Sequence, residues 1–301
     1  MNPKILKTKP SAGYALVDSG AGEKLERFGV FTLARPDPQA LWAKTSAEEI
    51  WQKAQGVFSR EAVKDEKGKG DKAEKSAWKI KLGVPEKWQI DLGGLKFWIK
   101  PSSFKHVGVF PEQVGNWDWL RDTISNHDGK VSVLNLFGYT GGATLACAQA
   151  GAEVCHVDGS KTAITWAKEN AGISELATKP IRWILDDAVA FVKREVKRGK
   201  KYDGIIMDPP VFGRGPDGEV WKIEENFLQL IELCKQIMTD KPLFFLINGY
   251  AAGYSAIAYE NILKSLAKDW GGEIEVGELT IEEEKTGRLL PAGIFGRWKS
   301  N

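Results

Sequence analysis

Apolar runs and helix-like stretches alternate along the chain from residue 131 onward, and this alternation is the clearest structural signal in the sequence. Continuous apolar runs bounded by turn residues predict buried strands at 131–137, 153–158, 181–185, 202–207 and 242–248. Helical periodicity lies between and after them, at 143–148, 163–170, 188–197, 223–238 and 255–269. Segments 273–283 and 287–298 add an antiparallel pair. The pattern predicts an α/β fold with a seven-stranded sheet.

The first hundred residues carry a different pattern. Short strands with glycine-rich turns are predicted for 14–36, a helix for 38–56 and further strands for 78–100. The two patterns meet near Ser103. A length of 301 residues with 43% hydrophobic content agrees with two domains and a sizeable core.

The apolar run 202–207 ends in Asp208, Pro209 and Pro210, and Phe212 follows. Each proline lacks a backbone N–H and pushes the preceding residue to extended geometry, so carbonyl oxygens here are expected to lack ladder partners. Unpaired acceptors beside a carboxylate can hold an amine, and open α/β sheets place their chemistry at the carboxyl ends of strands. The alternative interpretation is a strand that ends in a rigid turn.

A glycine-rich turn, residues 138–142, joins the strand 131–137 to a helix of small residues. The dinucleotide fingerprint requires glycine at 138, 140 and 143, but Thr140 and Ala143 occupy two of these positions. A nicotinamide-dinucleotide site is therefore disfavoured. Glycines still let the backbone approach a ligand closely, and the amino terminus of the helix offers N–H groups that suit a carboxylate.

Two further strands also end in acids, at Asp158 and at Asp186-Asp187. Asp158 lies at the distance past the glycine turn where α/β nucleotide folds carry a ribose-binding acid. Each acid also precedes a predicted helix, so helix capping is an equal alternative for both. Three acid-terminated strands in series favour a nucleoside site over capping alone.

The order of these motifs resembles the class I S-adenosylmethionine-dependent methyltransferases. Residues 135–142 resemble the first motif of the family, and 208–212 its catalytic motif. More narrowly, 104–113 and 18–29 resemble proteins related to bacterial large-subunit ribosomal RNA methyltransferases, a group of cytosine-C5 and guanine-N7 enzymes. The resemblance spans most of the chain and is strongest over 105–301.

This resemblance implies S-adenosylmethionine as the cofactor and assigns roles residue by residue. The implied cofactor-binding residues are Asn135, Phe137, Gly138, Thr140, Gly141, Asp158, Gly159, Asp187, Asp208 and Gln113. Asp158 is the implied ribose-binding acid, and Asp187 is the acid beside the adenine. The implied catalytic residues are Asp208, Pro209 and Phe212. Domain boundaries at 1–104 for a β-rich substrate-recognition domain and 105–301 for the methyltransferase domain follow from the same resemblance.

The acceptor is expected to be a nitrogen of a ribosomal RNA base. Related cytosine enzymes carry a nucleophilic cysteine after the fifth strand, where this chain has Asn248, Gly249 and Tyr250. The related group also includes a guanine-N7 enzyme, whose target has no hydrogen for Asp208 to accept. Methylation of a protein or a small molecule, and a non-catalytic cofactor-binding factor in ribosome assembly, remain alternatives. A nicotinamide-dependent oxidoreductase is a more distant one.

Composition bounds these hypotheses without choosing among them. Neither the three cysteines nor the three histidines have the spacing of a disulfide framework or a metal site, so no metal is expected and a reducing cytoplasm fits. There is no apolar leader and no run of the ~18 apolar residues that a membrane helix requires, so no membrane contact is expected. The net charge of +2 leaves RNA attraction to local patches. Two basic segments, 60–81 and 193–201, are candidates, and solvated surface is the alternative for each.

The polar loop 213–220 between Phe212 and Trp221 is a candidate lid. Most of the twelve tryptophans are expected in the core or between domains, whereas Trp221 is predicted to move with the loop. An ordinary connection to the following helix is the alternative. His106 lies in the motif that ends at Gln113, and packing or a local hydrogen bond is its expected role. His156, within a strand, is expected to be structural.

Overall fold

The computed structural model describes residues 3–62, 74–102, 105–250 and 253–301. Half of the lysine-rich segment 60–81, residues 63–73, lies outside these ranges, as do Ser103 and Phe104 of the predicted boundary. No helix of the described part is long and apolar enough to cross a bilayer.

The amino-terminal part of the chain is mostly strands. These are β1 (Lys4–Thr8), β2 (Tyr14–Gly20), β3 (Glu23–Phe28), β4 (Phe31–Pro36), β5 (Gly56–Ala62), β6 (Glu74–Ile80), β7 (Trp88–Leu92) and β8 (Leu95–Ile99), with a five-residue helix α1 (Glu48–Gln52) before β5.

The remainder alternates strands and helices. After a 3-10 turn at Pro111–Gln113 come α2 (Val114–Ser125), β9 (Ser132–Leu136), α3 (Gly142–Gln149), β10 (Glu153–Asp158), α4 (Lys161–Ile173), β11 (Ile181–Leu185), α5 (Ala188–Arg198), β12 (Gly204–Met207), β13 (Phe212–Arg214), β14 (Val220–Lys222), α6 (Ile223–Gln236), β15 (Phe244–Gly249), α7 (Ala256–Leu266), β16 (Glu273–Glu282) and β17 (Leu289–Lys299).

The chain forms two compact units, and neither is continuous in sequence. One comprises Met1–Lys7, Glu112–Thr280 and Ala292–Asn301, and the other comprises Thr8–Pro111 and Ile281–Pro291. The assignment of substrate recognition to the amino-terminal region stays a prediction.

An eight-stranded sheet in the order β1-β16-β17-β15-β12-β9-β10-β11 is the centre of the first unit. Five neighbouring strands, β15, β12, β9, β10 and β11, are parallel. Strand β17 pairs with β15 in the antiparallel direction. The predicted α/β class is confirmed, and all seven predicted strands are present. The predicted count is one short, because β1 adds an eighth strand beside β16, bonded there through the Thr280 hydroxyl to Leu6 O (2.8 Å).

Apolar side chains cover both faces of this sheet, as expected for parallel strands between helices. One face packs against α5, α6 and α7, with Met207 and Ile247 among its buried residues. The other packs against α2 and α3, with Ile206 and Leu246. This assignment of faces decides where the polar residues at the strand ends project.

The second unit contains a five-stranded sheet in the order β2-β3-β4-β5-β6 and a separate β7-β8 hairpin. The helix predicted for 38–56 is wrong in extent, because only Glu48–Gln52 is helical. Polar groups of the β2-β3 region bind the intervening chain instead: Ala21 N–H donates to Trp42 O (2.6 Å), and Gly22 N–H to Ala40 O (2.8 Å).

The Asp18 carboxylate is the main polar anchor of this segment. It accepts hydrogen bonds from the Thr45 hydroxyl (2.7 Å), the Ser46 N–H (2.9 Å) and the Trp51 indole (2.9 Å), and Arg288 lies 3.4 Å away. Burial opposes ionisation of Asp18, but these hydrogen bonds outweigh it and lower the pKa of the carboxyl. The ionised side chain thus replaces the helix-type bonds that the sequence pattern predicts.

We predict that Asp18→Asn destabilises the protein by roughly 2–4 kcal/mol, because an amide N–H₂ would face buried donors. A lowered folded-state pKa means that the contribution of Asp18 is present above its ordinary value of 3.8 and is lost as pH falls through the folded-state value. The cost of Asp18→Asn should therefore shrink on acidification. Urea unfolding at pH 7 and pH 3 measures this, with the exposed Asp91→Asn as the control. Equal costs for the two variants at pH 7 would contradict the prediction.

Gly138 follows β9 directly above the ring of His156. A Cβ at position 138 would lie 2.4 Å from His156 Cε1, well inside van der Waals contact. The ring cannot move easily, because His156 is fully buried, its Nδ1 is 2.9 Å from the Thr144 hydroxyl, and Trp183 packs 4.9 Å away. Only glycine therefore fits at position 138.

We predict that Gly138→Ala lowers the free energy of unfolding by about 1–3 kcal/mol through overpacking. Gly172→Ala is the matched control, since a Cβ there has open space inside α4 and should be neutral or stabilising by up to ~1 kcal/mol. Thermal unfolding compares the two. A melting temperature for Gly138→Ala at or above that of the wild type would contradict the assigned packing.

Candidate active site at the carboxyl edge of the sheet

The parallel register brings three predicted strand ends to one edge. Met207 lies opposite Leu136 on one side and Ile247 on the other, so Asp208 and Asn248 follow at the same level of neighbouring strands. Asp158 ends β10, the next strand beyond β9. Because side chains alternate along a strand, Asp208 and Asn248 project to the same face as Ile206 and Leu246, towards α2 and α3.

The predicted glycine turn, residues 138–142, has an unusual backbone. Phe137 (φ 57°), Tyr139 (φ 48°) and Gly141 (φ 90°) all adopt left-handed conformations. Gly138 N–H donates to Val157 O (3.1 Å), which ties the turn to β10. Left-handed geometry is unfavourable for Phe and Tyr, so the surrounding structure must hold the turn in this shape.

Asp158 is one of those supports. Its Oδ2 accepts from Tyr139 N–H (2.8 Å) and its Oδ1 from Ser160 N–H (2.8 Å). Burial raises the pKa of Asp158, and the two hydrogen bonds oppose that rise. The alternative that Asp158 caps α4 is wrong, because the Ser160 hydroxyl caps it by accepting from Ala163 N–H. Ribose binding by Asp158 stays a prediction.

Asp187 behaves differently, since it caps α5. Its Oδ1 accepts from Ala190 N–H (2.8 Å). The neighbouring Asp186 pairs with Arg194, so only Asp187 of this acid pair takes the capping role. Contact of Asp187 with an adenine stays a prediction.

Other residues of the first motif support the turn from within. Asn135 is buried, and its Nδ2 donates to the Thr144 hydroxyl (2.8 Å). The Thr140 carbonyl accepts from Asn170 Nδ2 (3.0 Å). The ring of Phe137 packs against Trp221, with centroids 5.0 Å apart. These contacts show how the turn is held and leave direct cofactor contacts of Asn135, Phe137 and Thr140 untested.

The Asp208-Pro209-Pro210 segment presents acceptors, as its sequence predicts, with one exception. Pro210 O accepts from the Trp221 indole (2.6 Å). No hydrogen bond reaches Pro209 O or the Asp208 carboxylate within the described ranges. Burial without donors raises the pKa of Asp208 to about 6. Phe212 is exposed over 54% of its surface.

The loop after Phe212 is a two-stranded hairpin, β13-β14. The expectation that Trp221 stands apart from the core is wrong: Trp221 is buried at 3% exposure, opposite Gly213. The turn of the hairpin approaches two other predicted site residues. A Cβ at Gly159 would lie 3.2 Å from Arg214 O, and one at Gly215 would lie 3.1 Å from Asp187 Cβ. Movement of this hairpin as a lid stays a prediction.

Sequence reasoning missed a side-chain amide network at this edge. Gln113 Oε1 accepts from Asn116 Nδ2 (3.0 Å), and Asn248 Oδ1 accepts from the same nitrogen (2.9 Å). The sequence contains a signal for this network. Asn116 occupies the inward face of α2, in line with the buried Leu120 and Ile124 at four-residue intervals. A polar residue within an apolar stripe indicates a buried polar contact.

The cysteines are unsuited to nucleophilic catalysis. Cys147, Cys155 and Cys234 are all buried, and burial raises the pKa of each thiol. His156 and His106 are also unsuited to catalysis, because the pKa of each is well below neutral pH. Burial lowers the pKa of His156 to about 3, and burial with nearby cations, Arg35 first, lowers that of His106 to about 4 in the second unit.

The basic segment 193–201 is partly engaged within the protein. Arg194 pairs with Asp186, Arg198 with Glu195 (2.8 Å), and Lys201 donates to Gln236 O (2.8 Å). Contact of this segment with RNA stays a prediction.

Comparison with known proteins identifies the family of this chain. No protein-family model matches the chain. A solved S-adenosylmethionine-dependent methyltransferase from Agrobacterium tumefaciens is 40% identical, with a TM-score of 0.90 over 99% of this chain and 94% of that one. The ribosomal RNA large subunit methyltransferase I of Aeromonas salmonicida is 26% identical over 68% of this chain and 51% of its own length. Methyltransferase K of Neisseria meningitidis serogroup B is 29% identical over 52% of this chain and 44% of its own.

The chain thus spans about half the length of these two curated relatives. The Agrobacterium protein, by contrast, matches over almost its whole length and at 40% identity. The predicted resemblance is confirmed: this chain belongs to the S-adenosylmethionine-dependent methyltransferases.

Proposed function

We propose that this enzyme transfers a methyl group from S-adenosylmethionine to a nitrogen of a ribosomal RNA base. The relatives from Aeromonas and Neisseria are named as methyltransferases of large-subunit ribosomal RNA, which supports this class of acceptor. The observation that carries the proposal is the Asp208 carboxylate beside the Pro209 carbonyl, which no described residue hydrogen-bonds, with the exposed Phe212 four residues after the acid. An RNA acceptor of this kind would place the enzyme in the cytoplasm.

The residues of the glycine turn fit the cofactor. Asp158 is held at the edge by two backbone N–H groups, one on each oxygen. Each carboxylate oxygen has a further lone pair, which suits the two hydroxyls of a ribose. Gly141, Gly159, Asp187 and Gln113 complete the proposed cofactor site.

S-adenosylmethionine supplies an electrophilic sulfonium methyl when bound. The protein's own task is then to hold a nitrogen nucleophile in line with it. Asp208 and Pro209 O offer two acceptors for the N–H groups of an amine, and Phe212 offers a stacking surface for the ring that carries it. Orientation of this kind contributes on the order of 7 kcal/mol or more to rate enhancement, so a strong base is unnecessary.

The environment of Asp208 also suits proton transfer. With a pKa of about 6, the carboxylate is mostly ionised at neutral pH but binds a proton more readily than an ordinary aspartate. It can therefore orient the N–H and take the proton that leaves when the N–CH₃ bond forms. That proton then passes to solvent before the next turnover.

Two features oppose the cytosine-C5 route. The chain has Asn248 and Gly249 at the position of the nucleophilic cysteine in the related enzymes. The three cysteines it does have are buried thiols with raised pKa values. A guanine-N7 acceptor, which has no hydrogen for Asp208 to accept, would leave the carboxylate a purely electrostatic role.

Protein or small-molecule acceptors and a non-catalytic assembly role are the alternatives. A binding module has no use for a desolvated acid beside the Pro209 carbonyl, whereas a protein acceptor has no need of an exposed aromatic platform. Mass mapping of ribosomal RNA from a strain lacking the enzyme, followed by transfer to the unmodified RNA in vitro, tests the proposal directly. An unchanged modification map together with no transfer to RNA would reject it.

Variants at the edge should separate catalysis from acceptor binding. Asp208→Asn should lower kcat by about 10²–10⁴-fold and change cofactor affinity only slightly, because an amide can still accept a hydrogen bond but cannot take the proton of the reacting N–H. Phe212→Ala should weaken RNA binding by about 1–3 kcal/mol, and Phe212→Tyr should preserve it. Asp240→Asn, an exposed acid elsewhere, is the charge control. Single-turnover rates and RNA titrations measure both quantities. Equal losses of transfer and cofactor binding in Asp208→Asn would reject the catalytic assignment.

The same variant should stabilise the ligand-free protein in a pH-dependent way. Because the pKa of Asp208 rises from 3.8 to about 6 on folding, the folded state binds more protons between these values and wild-type stability falls as pH rises through this window. Two pKa units correspond to roughly 3 kcal/mol as an upper bound. Asp208→Asn should thus match the wild type near pH 4 and exceed it by about 1–3 kcal/mol at pH 7.5. Denaturant unfolding at both pH values checks this, and a pH-independent difference would contradict it.

A further inference from the structure

A buried hydrogen-bond network connects the terminal strand β17 to the proposed cofactor site. Arg297 donates to Glu275 through Nε (2.8 Å) and Nη2 (2.6 Å), which fixes the guanidinium. Its remaining Nη1 reaches Asn116 Oδ1 at 3.4 Å. Asn116 then donates through Nδ2 to Gln113 and Asn248. The chain of contacts ends on two side-chain amides at the carboxyl edge of the sheet.

The chemistry of arginine fixes the polarity of this network. A guanidinium has only donors, so Asn116 must turn its oxygen towards Arg297 and its nitrogen away. The nitrogen needs acceptors, so Gln113 and Asn248 turn their oxygens towards Asn116. Their own N–H₂ groups therefore point elsewhere, and within the described ranges neither nitrogen contacts a protein acceptor.

We infer that Asn116 is a positioning residue that makes Gln113 and Asn248 present N–H donors, rather than carbonyl oxygens, to the bound cofactor. The inference rests on the proposed cofactor site. Two such donors suit a carboxylate, and S-adenosylmethionine carries one on its amino-acid end. Asn248 lies level with Asp208 on the adjacent strand, so its donors lie on the reacting side of the site.

Replacement by aspartate should invert this polarity without changing shape. In Asn116→Asp, one carboxylate oxygen keeps the bond to Arg297 and the other can only accept. Gln113 and Asn248 would rotate their amides, donate to the new oxygen and turn their carbonyls towards the cofactor. Asn116→Ala imposes no orientation, so both amides would be free to adopt the one that a ligand selects.

The two variants should therefore rank in opposite order for binding and for stability. Asn116→Asp keeps every buried partner engaged, whereas Asn116→Ala leaves Arg297, Gln113 and Asn248 each short of one bond and opens a cavity. The melting temperature should fall more in Asn116→Ala. The affinity for the cofactor should fall more in Asn116→Asp. A residue with a merely structural role would lower both quantities in the same order.

Calorimetric titration with S-adenosylhomocysteine and thermal unfolding of the full chain test this. We expect an increase in Kd of about tenfold or more for Asn116→Asp, of two- to threefold for Asn116→Ala, and none for Asn126→Asp, an exposed charge control at the end of α2. Gln113→Glu reverses the donor directly and should reproduce the loss of Asn116→Asp. If neither Asn116 variant folds, the affinity of Gln113→Glu for S-adenosylhomocysteine tests the inference by itself.

Tighter binding by Asn116→Asp than by Asn116→Ala would overturn the inference, as would wild-type affinity in Gln113→Glu. Failure of the proposed cofactor site gives a different result. In that case the wild-type protein itself would not bind S-adenosylhomocysteine, whichever order the variants follow in stability. Failure of RNA methylation alone would leave this binding, and the ranking of the variants, unchanged.

Discussion

The parallel hydrogen-bond register of β15, β12, β9 and β10 is the constraint on which the site depends. It places the carboxyl ends of these strands at one edge, and the two-residue alternation of side chains sends Asp208 and Asn248 to the same face. A slip by one residue in β12 would exchange Asp208 with Met207 and bury an acid among the apolar residues near α6. The apolar packing of both faces is therefore also what aims the chemistry.

Two acids at this edge have different environments, and the difference sorts their roles. Asp158 accepts two backbone N–H groups, which fix the direction of its carboxylate and oppose the rise of its pKa. Asp208 is only partly exposed and accepts no hydrogen bond from the described residues, and desolvation raises its pKa to about 6. The first arrangement suits a fixed contact with a neutral ligand group, and the second suits a group that must accept a proton. The cost of keeping Asp208 desolvated is offset by packing elsewhere in the sheet.

Features that depend on neighbouring residues in sequence were predictable, and those that depend on distant ones were not. The strand, glycine turn and helix at 131–149 are local, so their periodicity and their glycines reveal them. Strand β1 pairs with β16, which lies far along the chain. Segment 38–56 does not form a long helix because Asp18 hydrogen-bonds to it. A local sequence pattern reveals neither β16 as the partner of β1 nor Asp18 as the partner of 38–56. Trp221 sits in a polar loop by sequence, yet its indole bonds to Pro210 O and its ring fills the core.

The polar groups at the edge form one set of acceptors and one set of donors. This arrangement determines which ligands the proposed reaction can use. Asp208 and Pro209 O are acceptors by their own lone pairs, and the proline pair removes nearby backbone N–H donors that could occupy them, so they favour an N–H-bearing nucleophile. Gln113 and Asn248 face outward as donors because Arg297, at the other end of their network, can only donate. Proline cannot supply a backbone donor because it has no N–H, and the arginine guanidinium cannot accept a hydrogen bond because it has no available lone pair. These two residue types therefore fix which groups at the edge accept and which donate. A ligand pair with a carboxylate on one side and an amine on the other matches this arrangement, and the reversed pair would leave buried groups unpaired on both sides.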